Sequence, residues 1–448
     1  MDFAFWTIGD FNRAYRQGRI SPVEVAHWFI VAAHALNRRL GTALTHVAEG
    51  EMIAAAEASG ARWRAGEALG PLDGVPVTIK NLLAVRGWPL DFCSLTVDPG
   101  EGPAEDAPAV ARLRAAGALL SGYTSTPEFS WTIVTDSPKY GVLRNPHDPA
   151  RTPGGSSGGA AVAAATGLAP VNIGSDAAGS IRVPAAFCGV FGMKPTFGVV
   201  AALPAGPMTH LGPICHTAAD AALVLDVIGQ PDGRDWYNTP LPGPQPFSHR
   251  LDRPASGLRV AIASGFPGVP AADPAVHAAL TATQTALETL GARVEVAAPE
   301  ITDPRAIARV LFPEGYVRRF RDMGDEARHR TDPGLLALAT AGAATTVDAL
   351  RQAIEARYAL GCQISAFFQR FDLLVTATTP GPAFELGTAG DMFDWNAGTY
   401  VFNLSQNPAA TVPVLAGGGA LPVGIQIVGP KFGDAAVLNL CHLLSGRV

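Results

Sequence analysis

The sequence predicts one large domain of the α/β class, with helices and strands in layers. Segments with helical and strand-like apolar patterns follow one another along the chain. The 448 residues are 48% hydrophobic and 16% charged, so a large core is expected. No internal repeat and no linker separates two independent parts, and we therefore expect a single domain over residues 1–448.

The first third of the chain sets this alternation. Ser21, Pro22 and Glu24 provide a cap, a proline at the first helical position and an acid in the first turn, which predicts a helix start. The run GVPVTIK predicts a β-strand that ends at Lys80. Further elements are predicted as strands at 43–48 and 118–122 and helices at 51–64 and 108–116.

The alternation resumes after residue 200. Thr217, with Asp220 three residues later, predicts another helix start. Helices are also predicted at 274–290, 305–323 and 347–368 and at the C-terminus. Strands are predicted at 258–264, 293–297, 372–378, 410–415 and 421–428.

Composition and charge argue against several classes of protein. No apolar run approaches the ~18 to 20 residues of a membrane span, and the residues after Met1 do not form a secretory leader, which predicts a cytoplasmic location. The net charge of −6 and the lack of a basic run argue against direct nucleic-acid binding. The cysteines are scattered and indicate neither a disulfide framework nor a zinc site; they are Cys93, Cys188, Cys215, Cys362 and Cys441. We expect no metal and no cofactor.

Lysine is rare, since 29 of the 33 basic residues are arginine. Lysine can lose its proton, whereas arginine does not. Lys80 follows the apolar run VPVTI, where burial would favour the neutral amine. Lys80 is therefore a candidate general base.

Residues 151–195 form a block of Gly, Ala and Ser that is too apolar for a flexible tether. It contains GGSSGG, with Ser156 and Ser157, and SDAAGSIR, with Ser180. A serine nucleophile needs a base and donors that stabilise the oxyanion. Small consecutive residues let their N–H groups converge on one point, and the predicted oxyanion hole consists of Ala177, Ala178, Gly179 and Ser180.

Together these features resemble the amidase signature family. The matching runs are LDGVPVTIKNLL, TPGGSSGGAAVAAATG and GSDAAGSIRVPAAFCGVFGMKPTFG, with similar runs PAATVPV and LPVGIQIVG near the C-terminus. The resemblance is strong over 72–198, fair over 372–430 and weak between them. It implies a mixed, twisted β-sheet covered by helices on both faces, a catalytic core at 72–198 and a variable helical, substrate-side region at about 300–370.

The resemblance also implies roles for individual residues. Ser180 would be the nucleophile, Ser156 a bridging serine with a cis peptide bond, and Lys80 the base. Ser157 would support Lys80 and the loop, while Asp176 and Arg182 would be structural partners of the nucleophile. The implied reaction is hydrolysis of a carboxylic acid amide to an acid plus ammonia or an amine, through an acyl-Ser180 intermediate; an esterase side activity stays open.

This sequence departs from many relatives at three positions near the motifs. Ala178 stands where many have Gly, Ser175 where a Thr is frequent, and Tyr123 where many have Lys. None of these changes removes a catalytic group, so we expect them to affect the size of the pocket. His210 and His216 are secondary candidates for substrate contact.

Three alternative functions stay open. The chain could be the glutaminase subunit of a tRNA-dependent amidotransferase, which needs a cationic anchor for the glutamine α-carboxylate; the region that supplies it in those subunits cannot be matched to 309–323 here. GSSGG also fits the nucleophile elbow of α/β hydrolases, with Ser157 attacking, but the proline-rich NPHDPARTP before it does not favour the required strand. A catalytically silent scaffold is disfavoured because all three triad positions are filled.

The substrate is predicted only by class. Apolar and aromatic residues in LFPEGY at 311–316 and GDMFDWNAGTYVF at 390–402 indicate a small-molecule amide with a hydrophobic or aromatic acyl group, although core packing explains these runs equally well. A homodimer remains an alternative to a monomer.

Overall fold

The computed structural model describes residues 1–239, 246–321, 323–415 and 421–448. The helices are α1 Ile8–Arg16, α2 Pro22–Leu40, α3 Glu49–Ala65, α4 Pro108–Ala115, α5 Gly158–Ala165, α6 Arg182–Cys188, α7 Ala218–Ile228, α8 Pro274–Thr289, α9 Arg305–Arg321, α10 Asp325–Arg330, α11 Pro333–Ala343, α12 Val347–Arg370, α13 Met392–Trp395, α14 Ala397–Leu404 and α15 Asp434–Leu444. The strands are β1 Leu44–Val47, β2 Pro76–Lys80, β3 Leu119–Thr124, β4 Asp136–Ser137, β5 Gly141–Val142, β6 Val171–Asp176, β7 Phe191–Lys194, β8 His210–Cys215, β9 Arg259–Ile262, β10 Arg293–Val296, β11 Leu373–Ala377, β12 Ala409–Val414 and β13 Val423–Val428.

Eleven strands form one mixed sheet in the order β1-β3-β2-β6-β8-β7-β12-β13-β11-β9-β10. Strand β2 pairs in parallel with β3 and β6, and β9 pairs in parallel with β10 and β11. The pairs between them, from β6–β8 to β11–β13, are antiparallel. The mixed sheet expected from the family resemblance is confirmed.

Different helices cover the two faces of this sheet. Along β11, Leu373 and Val375 pack into one apolar cluster and Leu374 into another, because successive side chains of a strand point to opposite faces. The first cluster includes residues of α4, α7, α8 and α15. The second includes residues of α9, α12 and α14. The predicted class, a single α/β domain with helices on both faces, is confirmed.

Most predicted helices and strands are present, with ends shifted by a few residues. The strand predicted at 118–122 runs over Leu119–Thr124, so it continues further than its apolar run. The helical segment predicted at 305–323 ends at Arg321, and residue 322 lies outside the described residues. The helix start predicted at Ser21 is confirmed, since the Ser21 hydroxyl accepts from the Glu24 amide in a capping box.

The Gly, Ala and Ser block forms α5, β6, α6 and β7 rather than a tether. Its glycines allow unusually close packing. A Cβ on Gly159 would lie 2.5 Å from the Ser125 amide nitrogen and 2.6 Å from the Ala43 carbonyl oxygen. The small residues therefore let α5 lie directly against the chain after β3, next to the strands that carry Lys80 and Asp176.

No single helix among the described residues is long and apolar enough to cross a membrane. Helices α11 and α12, which meet at a bend of 97°, reach that length and apolar composition only when the two are taken as one segment.

Candidate active site

Lys80 is the last residue of β2 and is completely buried. Its Nζ lies 2.7 Å from Ser156 Oγ and 3.0 Å from Ser175 Oγ. Burial lowers the pKa of Lys80 to about 7, although the negative charge of Asp176 acts in the opposite direction. The amine is therefore available in its neutral form near neutral pH.

Ser175 was not predicted as a partner of Lys80. The signal lies in the strand register, because β2 and β6 are parallel and Ile79 is level with Ile173. This register places the end of β6, which carries Ser175, beside the end of β2. Pairing of the two strands cannot be read from either motif alone.

Ser156 is part of the loop before α5, where it contacts the Lys80 amine, and 1% of its surface is exposed. The peptide bond between Gly155 and Ser156 is cis. The Ser156 hydroxyl can accept a hydrogen bond from the Lys80 amine or donate to the neutral amine. This pair is the part of the predicted triad that the structure joins directly.

Ser157 supports the loop but not Lys80. Its Oγ donates to the Ser175 carbonyl at 3.2 Å and accepts from the Ser175 amide at 3.3 Å. Among the described residues, Lys80 donates only to Ser156 and Ser175. Ser157 is also fully buried, and the residues immediately before it are not a strand. The nucleophile-elbow alternative is therefore not supported.

Ser180 lies in the loop between β6 and α6, as expected for a residue just before a helix start. It is partly exposed, as is Ala177, while Ala178 and Gly179 are buried. Within the described ranges, the Ser180 hydroxyl makes no hydrogen bond. Among the described residues, no hydrogen bond therefore joins Ser180 to Ser156.

The predicted oxyanion hole changes in one member. The Gly179 N–H donates to Asp176 Oδ1 at 2.7 Å, so it is already used within the loop. The N–H groups of Ala177, Ala178 and Ser180 have no acceptor in the part of the chain that the structure describes. Three of the four predicted donors therefore remain available to an oxyanion.

Asp176 and Arg182 form a buried ion pair at the two ends of the loop that carries Ser180. Burial raises the pKa of Asp176, but the Arg182 guanidinium more than offsets this and holds the pKa well below its usual range. Asp176 also accepts from the amides of Gly179 and Ile181, at 2.7 and 3.2 Å. The pair thus fixes the backbone on both sides of Ser180.

Residues far along the chain complete the coordination of Arg182. Its guanidinium donates to the Thr399 carbonyl at 3.0 Å, to Asn403 Oδ1 at 2.6 Å and to Gln426 Oε1 at 2.6 Å. These partners were not predicted. They are separated from Arg182 by more than 200 residues, and no local pattern marks them.

The remaining sequence candidates have structural contacts. The Tyr123 hydroxyl donates to the Leu83 carbonyl and accepts from the Val85 amide, both at 3.0 Å. His210 is buried, with Nδ1 2.7 Å from the Met208 carbonyl, and burial lowers its pKa. His216 packs edge-on against Phe5.

The two apolar runs predicted to contact substrate meet beside Ala178, in the loop that carries Ser180. Phe312 of α9 packs edge-on against Phe393, with ring centroids 6.1 Å apart. Ala178 belongs to the same apolar cluster as Phe393 and Tyr400. Among the described residues, no group of three or more His, Cys, Asp or Glu side chains is arranged to hold a metal ion.

Comparison with known proteins gives matches over almost the whole chain. The Amidase family model matches residues 24–438. A glutamyl-tRNA(Gln) amidotransferase subunit from Chloroflexus aggregans is 33% identical over 97% of this chain and 95% of its own length. The corresponding subunit from Deinococcus radiodurans is 34% identical, over 98% and 97%.

Solved structures are also similar to this chain over almost its whole length. A bacterial aryl acylamidase of the amidase signature family has a TM-score of 0.91 and 26% identity, over 99% of this chain and 96% of that chain. A glutamyl-tRNA(Gln) amidotransferase subunit from Thermotoga maritima has a TM-score of 0.79 and 25% identity, over 99% and 95%. This chain belongs to the amidase signature family and is an enzyme that acts on carbon–nitrogen amide bonds.

Proposed function

We propose that this protein cleaves a carboxylic acid amide through an acyl-Ser180 intermediate, with Lys80 as base and Ser156 as proton relay. The observation that carries the proposal is the 2.7 Å contact between Ser156 Oγ and the buried Lys80 amine. An ammonium at this position would be a costly buried charge, whereas a neutral amine can take a proton from Ser156.

The reaction begins when Ser156 passes its proton to neutral Lys80 and takes the proton of Ser180. Ser180 Oγ then bonds to the amide carbonyl carbon, and the carbonyl oxygen becomes an oxyanion. The N–H groups of Ala177, Ala178 and Ser180 stabilise that charge. The proton returns through Ser156 to the leaving nitrogen as the carbon–nitrogen bond breaks. Water then uses the same relay to release the acid and restore Ser180.

Covalent labelling tests the assignment of the nucleophile. A fluorophosphonate should add one label to the wild-type protein, detected by intact mass. Ser180→Ala should lose the label, whereas the neighbouring control Ser157→Ala should keep it if the variant folds. Thermal unfolding of both variants checks folding. A label that persists in folded Ser180→Ala would contradict the proposal.

The glutaminase subunit of a tRNA-dependent amidotransferase is a second candidate. The sequence relatives described above, at 33% and 34% identity, favour it over a free-standing hydrolase, whereas the higher TM-score belongs to the aryl acylamidase. Both enzymes would use the same acyl-Ser180 chemistry. They differ in substrate and in whether other subunits consume the ammonia.

A glutaminase would also need a cation for the glutamine carboxylate. Arg319 of α9 lies over the Phe129 ring at 4.1 Å and the Phe92 ring at 5.2 Å. In the described ranges it forms no ion pair, unlike Arg309, which pairs with Asp391. We therefore propose Arg319 as the candidate anchor; burial beside these rings lowers the pKa of its guanidinium.

Purification and ammonia release distinguish the two candidates. A glutaminase subunit should co-purify with other subunits and release ammonia from L-glutamine, and Arg319→Gln should raise KM for glutamine. A hydrolase should act without partners on aromatic amides such as phenylacetamide, with little effect of Arg319→Gln. If the protein is this hydrolase, we also propose that it is cytoplasmic and that it forms a homodimer. We further propose that residues of about 300–370 select its substrate.

A further inference from the structure

Thr399 of α14 contacts the loop between β6 and α6, residues 177–181, which we call the nucleophile loop because it carries Ser180. The Thr399 hydroxyl lies 2.8 Å from the Ala178 carbonyl oxygen. Both residues are buried, and 221 positions separate them in the sequence. This contact ties a distant helix to the peptide groups next to the proposed nucleophile.

The hydroxyl hydrogen of Thr399 is needed by Ala178. The same Oγ1 lies 2.8 Å from the Asn396 carbonyl, but that carbonyl already accepts the N–H groups of Thr399 and Tyr400, both at 2.9 Å. In the described ranges, the Ala178 carbonyl has no donor other than Thr399. Because a buried carbonyl without a donor is unfavourable, the single hydroxyl hydrogen belongs to Ala178.

The opposite side of the same peptide group is held as well. The Ala178 carbonyl and the Gly179 N–H belong to one planar trans peptide and point in opposite directions. The Gly179 N–H donates to Asp176 Oδ1 at 2.7 Å. If this peptide turned over, the Ala178 carbonyl would leave Thr399 and face the Asp176 carboxylate, which is an unfavourable pair of acceptors. Thr399 and Asp176 therefore fix the plane from both sides.

The contact with Thr399 requires glycine at position 179. Gly179 has a φ of 121°, in a region that favours glycine. A Cβ there would lie only 2.2 Å from Thr399 Oγ1, so a larger residue would displace the hydroxyl from its place beside Ala178. The glycine thus permits both the conformation of the nucleophile loop and the close approach of α14.

The two neighbouring peptide groups carry donors that the proposed reaction uses. These donors are the N–H groups of Ala178 and Ser180, which have no acceptor among the described residues. Once the peptide between Ala178 and Gly179 is fixed, the direction of each donor depends only on the two backbone torsion angles of one residue, Ala178 or Gly179. Donors whose direction is set before the reaction stabilise an oxyanion without reorganisation.

We propose that Thr399 is a positioning residue for the oxyanion donors. Its hydroxyl holds the Ala178–Gly179 peptide so that the N–H groups of Ala178 and Ser180 are directed at the oxyanion before Ser180 attacks. Thr399 acts through the backbone of the nucleophile loop and does not itself touch the substrate. This inference rests on the proposed acyl-Ser180 chemistry.

The rate of labelling by a fluorophosphonate tests this role without a known substrate. Attack of Ser180 on phosphorus moves negative charge onto the phosphoryl oxygen, which takes the place of the oxyanion. Thr399→Ala should slow labelling about tenfold, a smaller effect than the removal of an oxyanion donor. Thr399→Ser, which differs from Thr399→Ala only by the hydroxyl oxygen, should keep most of the wild-type rate. An unchanged rate in folded Thr399→Ala would overturn the proposal.

The pH dependence of labelling separates the oxyanion donors from the base. The wild-type rate should rise with pH through the Lys80 pKa of about 7. Thr399→Ala should keep this midpoint and reach a lower plateau, because Lys80 and Ser156 are unchanged. A wild-type plateau with a displaced midpoint would place the effect at Lys80 and would contradict a role in the oxyanion hole.

Thr283→Ala is the matched control. Thr283 is also a fully buried threonine, and its hydroxyl donates to the Ala279 carbonyl at 2.8 Å within α8, outside the proposed machinery. This variant should be labelled at the wild-type rate. Equal loss in both alanine variants, or no gain of Thr399→Ser over Thr399→Ala, would refute the positioning role. If thermal unfolding shows that Thr399→Ala does not fold, Thr399→Val takes its place in the same comparison.

Failure of the positioning role and failure of the proposed function give different results. Without the positioning role, wild type and Thr399→Ala are labelled on Ser180 at the same rate. Without the proposed function, folded wild-type protein carries no label on Ser180, and both proposals are overturned.

Discussion

The Lys80 amine sets the pH response of the proposed reaction. It must be neutral to accept a proton, and its pKa is lowered to about 7 by burial. The neutral fraction increases as pH rises through the pKa, so kcat/KM for an amide should rise between about pH 6 and pH 8 and then level off. A pH profile on a neutral amide substrate measures this directly.

Lys80→Arg is the informative variant at this residue. Guanidinium keeps its proton throughout this pH range, so the variant should lose nearly all activity at every pH although its charge is retained. Thermal unfolding shows whether the larger side chain is accommodated. Wild-type turnover by a folded Lys80→Arg variant would leave Lys80 only a structural or electrostatic role.

The sequence motifs predicted the candidate site residues but not all of their contacts. Lys80, Ser156 and Ser180 could be chosen because each lies in a distinctive run of residues. The use of the Gly179 N–H by Asp176 could not be predicted, because it depends on how the loop bends after β6. The same limit applies to Ser175, whose contact with Lys80 follows from strand pairing.

In helix α5, close packing requires glycine at position 159, although alanine has the higher helix propensity. Alanine is a better helix former than glycine by roughly 1 kcal/mol. At Gly159, however, a methyl group would meet backbone atoms at 2.5 and 2.6 Å. Gly159→Ala should therefore lower the free energy of unfolding by about 1–3 kcal/mol, measured by urea denaturation.

Gly361 in α12 is the matched control for this substitution. A Cβ there meets nothing within 4 Å, so Gly361→Ala should raise the free energy of unfolding by roughly 0.5–1 kcal/mol. Stabilisation by both substitutions would show that α5 can move away from the chain after β3. This comparison separates close packing from intrinsic propensity.

Elements with strong periodic patterns or caps were predictable, and those in the small-residue block were not. Residues 151–195 are apolar but show little amphipathic periodicity. Their many Gly and Ala residues therefore do not distinguish a helix from a strand. Their structure depends on neighbours such as Ser125 and Ala43, which lie elsewhere in the chain. The order of strands in the sheet depends in the same way on distant partners.

For the whole molecule, burial of Lys80 should cost stability. Its pKa is about 7 in the folded protein against an ordinary value of 10.5, so the unfolded chain binds more protons between these values. The contribution of Lys80 to the free energy of unfolding therefore falls as pH decreases from about 10 to about 7, and it is level below that. Lys80→Met removes this titration.

The difference in unfolding free energy between Lys80→Met and wild type should accordingly grow in favour of the variant as pH decreases over the same range. Urea denaturation of wild type and variant at several pH values measures it. A difference that does not change with pH would mean that Lys80 is charged in the folded protein. The variant should be inactive as an amidase at every pH.

The partners of Arg182 also have a consequence for synthesis of the protein. Ribosomes release the N-terminal residues first, so Lys80, Ser156 and Ser180 leave the exit tunnel long before Thr399, Asn403 and Gln426. Strands β12 and β13, which follow late in the chain, occupy the interior of the sheet between β7 and β11. A nascent chain that already contains every proposed catalytic residue would therefore still lack a fixed nucleophile loop. We expect amide cleavage to begin only when translation is nearly complete, which keeps unfinished chains from acting on cellular amides.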